Sequence, residues 1–251
     1  MRLEFPTDLG LGIPVLLSAL SFRLFRLAWR TRRLPELLVG IYFLLVPFGI
    51  SLSIRVDRFA PEHAAAARAT ANALFTAGGI SMLLFAWSVF RPEARLARWL
   101  AFGGSAALAA GWALGLALGA YAVDSSFLLV LPSFASYGWV FAESLRYYLL
   151  LRRRQRLDLA DPVLVNRFLL FAVWTGGIVA ITLVSVAGTL VQLGRGTFHD
   201  GGALGDPVVL GFTRVLSLPI AISLWLIFLA PARYTTWLRA RALAEAARGS
   251  R

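Results

Sequence analysis

Two ionisable residues fall inside otherwise apolar stretches of the chain, Glu143 and Arg214. A charge held in hydrocarbon is expensive, and by default it marks a functional site. Glu143 lies sixteen residues into the stretch that begins at Phe127, about 24 Å from its start at a rise of 1.5 Å per residue. Arg214 lies six residues into the stretch that begins at Val208, about 9 Å from its start by the same rise. Their depths differ by about 15 Å, so the two do not pair directly. Glu143 shares its level with Arg146, Arg23 and Arg26. Arg214 shares its level with Asp8, Asp124 and Asp206. Asp8 becomes its natural partner if the first and last helices are neighbours. A pair of structural salt bridges near the two interfaces accounts for these residues as well as a functional site does, because arginine snorkels outward.

The surroundings of Glu143 add to the functional reading. At ~100° per residue, Ser133, Ser136, Glu143, Ser144 and Tyr147 share one arc of a helix, with Tyr137 at its edge. Thr175, Thr182, Ser185, Thr189 and Gln192 form a stripe on the next apolar stretch, and Asn72, Thr76 and Gly79 align on an earlier one. Polar faces avoid lipid and point inward. Hydroxyls alone serve as interhelical glue or bond to their own helix. A carboxylate joined by amides and by Tyr42, Trp112, Tyr137, Trp139 and Trp174 better suits an internal ligand or water cavity. The candidate cavity residues are therefore Glu143, Arg214, Asn72, Thr76, Ser133, Ser136, Tyr137, Trp139, Trp174 and Thr182. Asp8 and Asp124 are the candidate outer partners of Arg214.

The missing residues exclude much else. All 25 basic residues are arginine, so no lysine Schiff base can form to retinal or pyridoxal phosphate. The absence of cysteine rules out disulfides, thiolate metal sites and iron–sulfur clusters. The two histidines, His63 and His199, sit beside Glu62 and Asp200 on separate loops. They read as solvated loop residues, and no metal and no cofactor is expected. Hydrolase elbows, phosphate loops and metalloprotease helix motifs do not occur.

The elements that position these residues follow from the hydropathy. Of 251 residues, 59% are hydrophobic and 15% charged, and mean hydropathy is +0.72. Soluble chains run near half apolar and a quarter charged. A helix crosses hydrocarbon with ~20 apolar residues. Seven segments qualify, at about 9–28, 35–54, 65–90, 99–123, 127–151, 168–193 and 208–230. The expected architecture is all-α, a polytopic membrane protein with a seven-transmembrane-helix bundle over 1–230 and a short basic tail over 231–251.

Charge alternates between the connections. Residues 23–36, 91–98, 146–167 and 233–251 hold five, three, six and five arginines against five acids, a net of +14. The other side holds five arginines against seven acids, a net of −2. The positive-inside rule puts the N-terminus outside and the C-terminus in the cytoplasm. Arginines follow the first apolar segment, the reverse of a cleavable signal peptide, so that helix is expected to stay in the mature protein.

Local signals mark the helix ends. Pro35-Glu36, Pro61-Glu62 and Pro92-Glu93 each put proline in a first turn beside a carboxylate. Asp161-Pro162 and Asp206-Pro207 supply an N-cap and a first helical residue. Prolines 14, 47, 132 and 219 fall inside spans and imply kinks. The alanine-rich tail, with Trp237, Leu238 and Leu243, reads either as a helix lying on the inner membrane surface or as a solvated helix. Gly103, Ala107, Gly111, Gly115 and Gly119 recur every four residues. Such a ridge admits a close backbone, inside the bundle by preference or across a homodimer seam.

Seven spans, an outside N-terminus, an inside C-terminus and a short amphipathic helix after span seven resemble the opsin and G-protein-coupled-receptor plan. The resemblance is topological, and it departs where it matters chemically. Opsins carry a retinal lysine in the seventh span, whereas Phe212–Pro219 here offers only Arg214. The stretches Arg32–Gly40 and Leu159–Arg167 look similar to uncharacterised bacterial seven-span proteins, which points to a bacterial cytoplasmic membrane. The functional expectation is a receptor-like or sensory protein. It would bind a small molecule or lipid within the bundle and signal to a cytoplasmic partner through its basic loops. A transporter or channel using Glu143 is the alternative, followed by a membrane scaffold subunit. Intramembrane catalysis is least supported, for want of paired acids and histidines. Topology already accounts for the arginines, so no nucleic-acid partner is expected.

Overall fold

The computed structural model describes residues 9–59, 61–119, 130–155, 157, 159–194 and 207–249; the side chains of 9–14, 16, 53–59, 61, 130–133, 193 and 245–249 lie outside that description. These residues form eight α-helices: α1 (Leu9–Thr31), α2 (Leu34–Phe59), α3 (Ala64–Phe90), α4 (Arg95–Ala117), α5 (Val130–Gln155), α6 (Pro162–Gly194), α7 (Pro207–Phe228) and α8 (Ala232–Gly249). A 3-10 turn, Pro61–His63, precedes α3. No strand occurs among the described residues. Five helices, α2, α3, α4, α6 and α7, are long and apolar enough to cross a membrane. The chain is an all-helical protein of integral-membrane type. Large apolar side chains face outward on α4 (Leu96, Trp99, Phe102) and on α7 (Val208, Val215, Leu218). Water would penalise that surface, whereas lipid is as apolar as the side chains themselves.

The helices divide into two compact units. One comprises Met1–Ser136 with Thr189–Ala203, the other Tyr137–Gly188 with Leu204–Arg251.

In the first unit α2 packs on α1 and α3, and α3 packs on α4. Small residues make these contacts close. Ser21 Oγ donates to the Gly40 carbonyl at 2.7 Å, joining α1 to α2. Trp112 Nε1 donates to the Ala69 carbonyl at 3.0 Å, joining α4 to α3. Gly78 of α3 faces α2, where an added Cβ would stand 2.5 Å from Val46 Cγ2. Valine is fixed at χ1 and cannot swing aside cheaply. We therefore expect Gly78→Ala to cost about 1–3 kcal/mol, the usual range for overpacking. Gly111→Ala, where a Cβ meets nothing within 4 Å, should be neutral or gain ~0.5–1 kcal/mol of helix propensity. Thermal unfolding of the two variants in one detergent provides the check.

In the second unit α6 is central. Gly177 approaches Ile220 of α7, and Phe171 meets Phe228 edge-on with centroids 6.0 Å apart. Gly176 approaches Phe141 of α5. Asp161 caps α6 as its sequence implies, accepting the Val163 amide at 3.0 Å through Oδ1. Its Oδ2 also lies 3.6 Å from Arg239 of α8. Both side chains are about half exposed or more, and such a surface pair contributes little. Asp161→Ala should thus cost about 1 kcal/mol, almost all of it the cap. Amide exchange would show the loss in the first turn of α6 and not at its centre.

Two local expectations are corrected. Pro92 and Glu93 do not open α4. They form a turn, closed by the Ala94 amide on the Arg91 carbonyl at 3.2 Å, and the helix starts at Arg95. The fourth helix also stops earlier than its apolar run, at Ala117. Gly119, read from sequence as part of a packing ridge, has φ +64 just beyond that end, the left-handed conformation that commonly follows a helix C-terminus.

Candidate functional site

The buried arc of α5 runs through Ser136, Tyr137, Val140, Glu143 and Ser144. Their spacing is the i, i+1, i+4, i+7, i+8 pattern of one helical face. The facing element is α6, whose Val165, Ala172, Thr175, Thr182, Ser185 and Thr189 are buried. Two aromatic contacts tie these helices together. Tyr137 meets Trp174 edge-on with ring centroids 6.5 Å apart. Tyr147 stacks on Phe168 at 5.5 Å. The helices are therefore antiparallel, and Glu143 falls between the two pairs. That register puts it level with the turn of α6 around Phe171.

Glu143 is 7% exposed. Its Oε2 lies 3.7 Å from Nη1 of Arg146, one turn along α5, whose side chain is 55% exposed. That distance is too long for a hydrogen bond, so the pair is electrostatic. It couples a carboxylate in the interior to a guanidinium at the edge. Next to it, Ser144 is fully buried, and its Oγ has no hydrogen-bond partner among the described residues. Two hydroxyls of α6 are satisfied by their own helix. Thr175 Oγ1 donates to the Phe171 carbonyl at 2.7 Å, and Ser185 Oγ to the Ile181 carbonyl at 2.9 Å. Such back-bonding is the ordinary fate of a hydroxyl in an apolar helix. Ser144 departs from it, and a buried hydroxyl without a partner carries a desolvation cost of roughly 1–3 kcal/mol.

The remaining expected site residues distribute as follows. Trp174 is 1% exposed and is the largest fully buried side chain described. Thr182 is buried on α6, and Trp139 is half-buried on α5. Asn72 and Thr76 are buried on α3, in the first unit. Asn72 donates to its own helix, Nδ2 to the Arg68 carbonyl at 2.9 Å. Arg214 lies on the exposed side of α7 and not among the buried polar residues. A long aliphatic stem lets a guanidinium travel from a helix to a polar boundary, so burial of its backbone position does not bury the charge. The side chain of Ser133, and Asp8 and Asp124 altogether, lie outside the described residues. An added Cβ at Gly103 or Gly111 meets nothing within 4 Å, Gly115 is buried, and Gly104, one residue off the stripe, faces Leu83. Among the described residues no group of three or more His, Asp or Glu could hold a metal ion.

One buried polar residue and two long-range contacts escaped the sequence reading. Ser223 of α7 is 2% exposed. Asn166 Nδ2 donates to the Tyr234 hydroxyl at 2.8 Å, and Asp161 faces Arg239. The last two link positions 68 and 78 residues apart, and no local pattern announces such a contact. No protein-family pattern, curated protein or solved structure matches the chain. The functional reading therefore rests on its residues alone.

Proposed function

We propose that the chain is a seven-span, receptor-like membrane protein whose second unit holds a small ligand, with a cationic or hydrogen-bond-donating group, against Glu143 and Ser144. The span count adds α1 and α5 to the five strongly apolar helices. They have 23 and 26 residues, enough for a hydrocarbon layer of ~30 Å at 1.5 Å per residue. Their arginines gather in the C-terminal half of each, at Arg23, Arg26 and Arg30 and at Arg146 and Arg152–Arg154, where snorkelling reaches the interface. The arginine asymmetry orients the bundle, with the Leu9 end of α1 outside and α8 in the cytoplasm. The basic loops on that side then offer a surface to a cytoplasmic partner.

The observation that carries the reading is a buried carboxylate beside a buried hydroxyl without a hydrogen-bond partner, held between two aromatic contacts of α5 with α6. A ligand ammonium or amide donor would meet both oxygens. The test is thermal unfolding of the purified full chain with a panel of small alkylammonium ions. At least one should raise the melting temperature of the wild type, Glu143→Gln should abolish that rise and Ser144→Ala should reduce it. A panel without effect on the wild type, or an equal rise in Glu143→Gln, would sink the proposal.

The Glu143–Arg146 pair favours a second reading, transport. It links an interior titratable group to an exposed charge, as a proton or cation path requires. Proteoliposome flux of the same ammonium ions or of protons, lost in Glu143→Gln, separates transport from reception.

A further inference from the structure

One side of α1 is spoken for. Leu20, Ser21, Leu24 and Ala28 are buried, and α1 packs on α2, where Ser21 holds the Gly40 carbonyl. The opposite side carries charge. Arg23, Arg26 and Arg30 are all exposed. Their spacing of i, i+3 and i+7 lines them up within about 60° of arc, roughly 140° round the helix from the buried set. Apolar side chains border this ladder. Val15, Phe22 and Trp29 recur every seven residues along one edge, 66%, 72% and 82% exposed, and Leu27 stands at the other. None of the three arginines has a hydrogen bond, ion pair or ring contact with a described residue.

Depth makes the ladder costly. α1 has 23 residues, about 34 Å, little more than a hydrocarbon layer of ~30 Å. Arg23 stands eight residues before Thr31, the last of the helix, so about 12 Å below its inner end. Arg30 stands at that end. Snorkelling carries a guanidinium to a nearby interface, but it does not serve three arginines alike when their levels differ by about 10 Å. A charge that faces lipid at the level of Arg23 needs a counter-charge at the same depth. Phosphate supplies one, since guanidinium meets its oxygens through paired, charge-assisted hydrogen bonds. The apolar edge fits the rest of such a molecule. Trp29 stands at the headgroup level, where indoles concentrate. Phe22 and Val15 lead from there toward the bilayer centre, along the path of an acyl chain.

We propose that the outward face of α1 is a binding site for an anionic phospholipid, with the phosphate among Arg23, Arg26 and Arg30 and an acyl chain along Phe22 and Val15. Charge complementarity selects an anion, and the depth of Arg23 selects a lipid over an acidic soluble polypeptide. The inference rests on the reading of α1 as a span and is independent of Glu143.

The test counts retained lipids. The full chain in a neutral detergent is mixed with equal amounts of phosphatidylglycerol and phosphatidylcholine of the same acyl chains, and bound lipids are read by native mass spectrometry. The wild type should retain phosphatidylglycerol in preference. Arg23→Gln with Arg26→Gln should lower that preference about twenty-five-fold, taking about fivefold per arginine near an anionic surface, with the melting temperature unchanged. Arg153→Gln with Arg154→Gln removes the same charge from the end of α5 and should leave the preference as it is. Equal losses in the two double variants overturn the proposal, because the preference is then one of net charge. So does a wild type that retains both lipids alike. A preference abolished by inorganic phosphate would assign the arginines to a soluble anion instead.

The span is tested separately. The sequence has no cysteine, so Ala19→Cys, exposed one turn deeper on the same face, gives a single attachment point for a nitroxide in nanodiscs. The label should be open to lipid-soluble oxygen and shielded from a water-soluble nickel chelate. Shielding without a lipid preference removes the headgroup site alone. Nickel access at Ala19 removes the span and the site with it.

Discussion

Trp174→Ala should lower the unfolding free energy by about 3–5 kcal/mol, the largest effect expected of any single truncation in the second unit. Trp174 is 1% exposed and is flanked by Tyr137 and by Phe171, whose ring centroids lie 6.5 and 5.7 Å away. In a soluble core the cost of such a truncation has two parts, transfer from water and the cavity left behind. Between helices in lipid the first part nearly vanishes, because the alternative environment is also apolar. What remains is lost dispersion contact and the void, so the lower end of the range is expected. Trp174→Phe keeps most of the ring volume and should cost less than about 1.5 kcal/mol. The two variants compared by thermal unfolding in one detergent decide the point. Equal losses would mean that the indole's size does not matter and that α5 and α6 are held together elsewhere. The variant has a functional consequence as well. Tyr137–Trp174 is one of the two contacts that bracket Glu143, so its loss should loosen the carboxylate's surroundings even where the protein still folds.

Much of the helical framework was legible from hydropathy because lipid leaves few alternatives. Every backbone amide in hydrocarbon must be satisfied internally, so an apolar run of sufficient length is helical. The starts of α2 and α6 follow their Pro35-Glu36 and Asp161-Pro162 signals. The start of α4 does not. Arg91 closes α3 through its amide on the Trp87 carbonyl, and the chain spends Pro92 and Glu93 on the turn that reverses it. A proline beside a carboxylate fits a tight turn as well as a first helical turn, and only the geometry of the preceding helix chooses between them.

The candidate site was legible where helical periodicity carries it. Ser136, Glu143 and Ser144 recur at the interval of one face, and all three are buried. Arg214 shows where depth alone misleads. Its position in an apolar run implied an interior charge, yet its side chain lies on the exposed side of α7. Depth along a helix says nothing about azimuth, and the one polar neighbour at the helical interval, Ser217, is exposed as well and bonds to the Arg214 carbonyl at 2.7 Å. The contacts of α8 with α6 were invisible for a different reason. Asn166–Tyr234 is a single hydrogen bond between residues 68 apart, with nearly all of α6 and the whole of α7 between them.

Glu143→Leu should leave the folded state as stable as the wild type or stabilise it by up to about 4 kcal/mol, while abolishing any response to ammonium ions. The argument turns on what a buried ion pair contributes. Moving a carboxylate out of water costs several kcal/mol, and its partner must recover that through good geometry. Arg146 does so poorly: it stands 3.7 Å away with more than half of its side chain exposed, where solvent screens the attraction. An apolar residue of similar size removes that penalty and, of the Arg146 contact, loses only a screened attraction. Arg146 remains at an edge where it can be hydrated, so no uncompensated charge is left behind. A buried charge that costs stability is the kind of residue retained for activity. If Glu143 were instead a structural element, Glu143→Leu would unfold the protein several degrees earlier, and Glu143→Gln, which keeps the shape and the hydrogen-bonding oxygen, would restore most of the loss. Melting curves of the two variants, each with and without ammonium ions, distinguish the outcomes. Retained stability with a lost response assigns Glu143 to ligand binding. Lost stability rescued by glutamine assigns it to the fold.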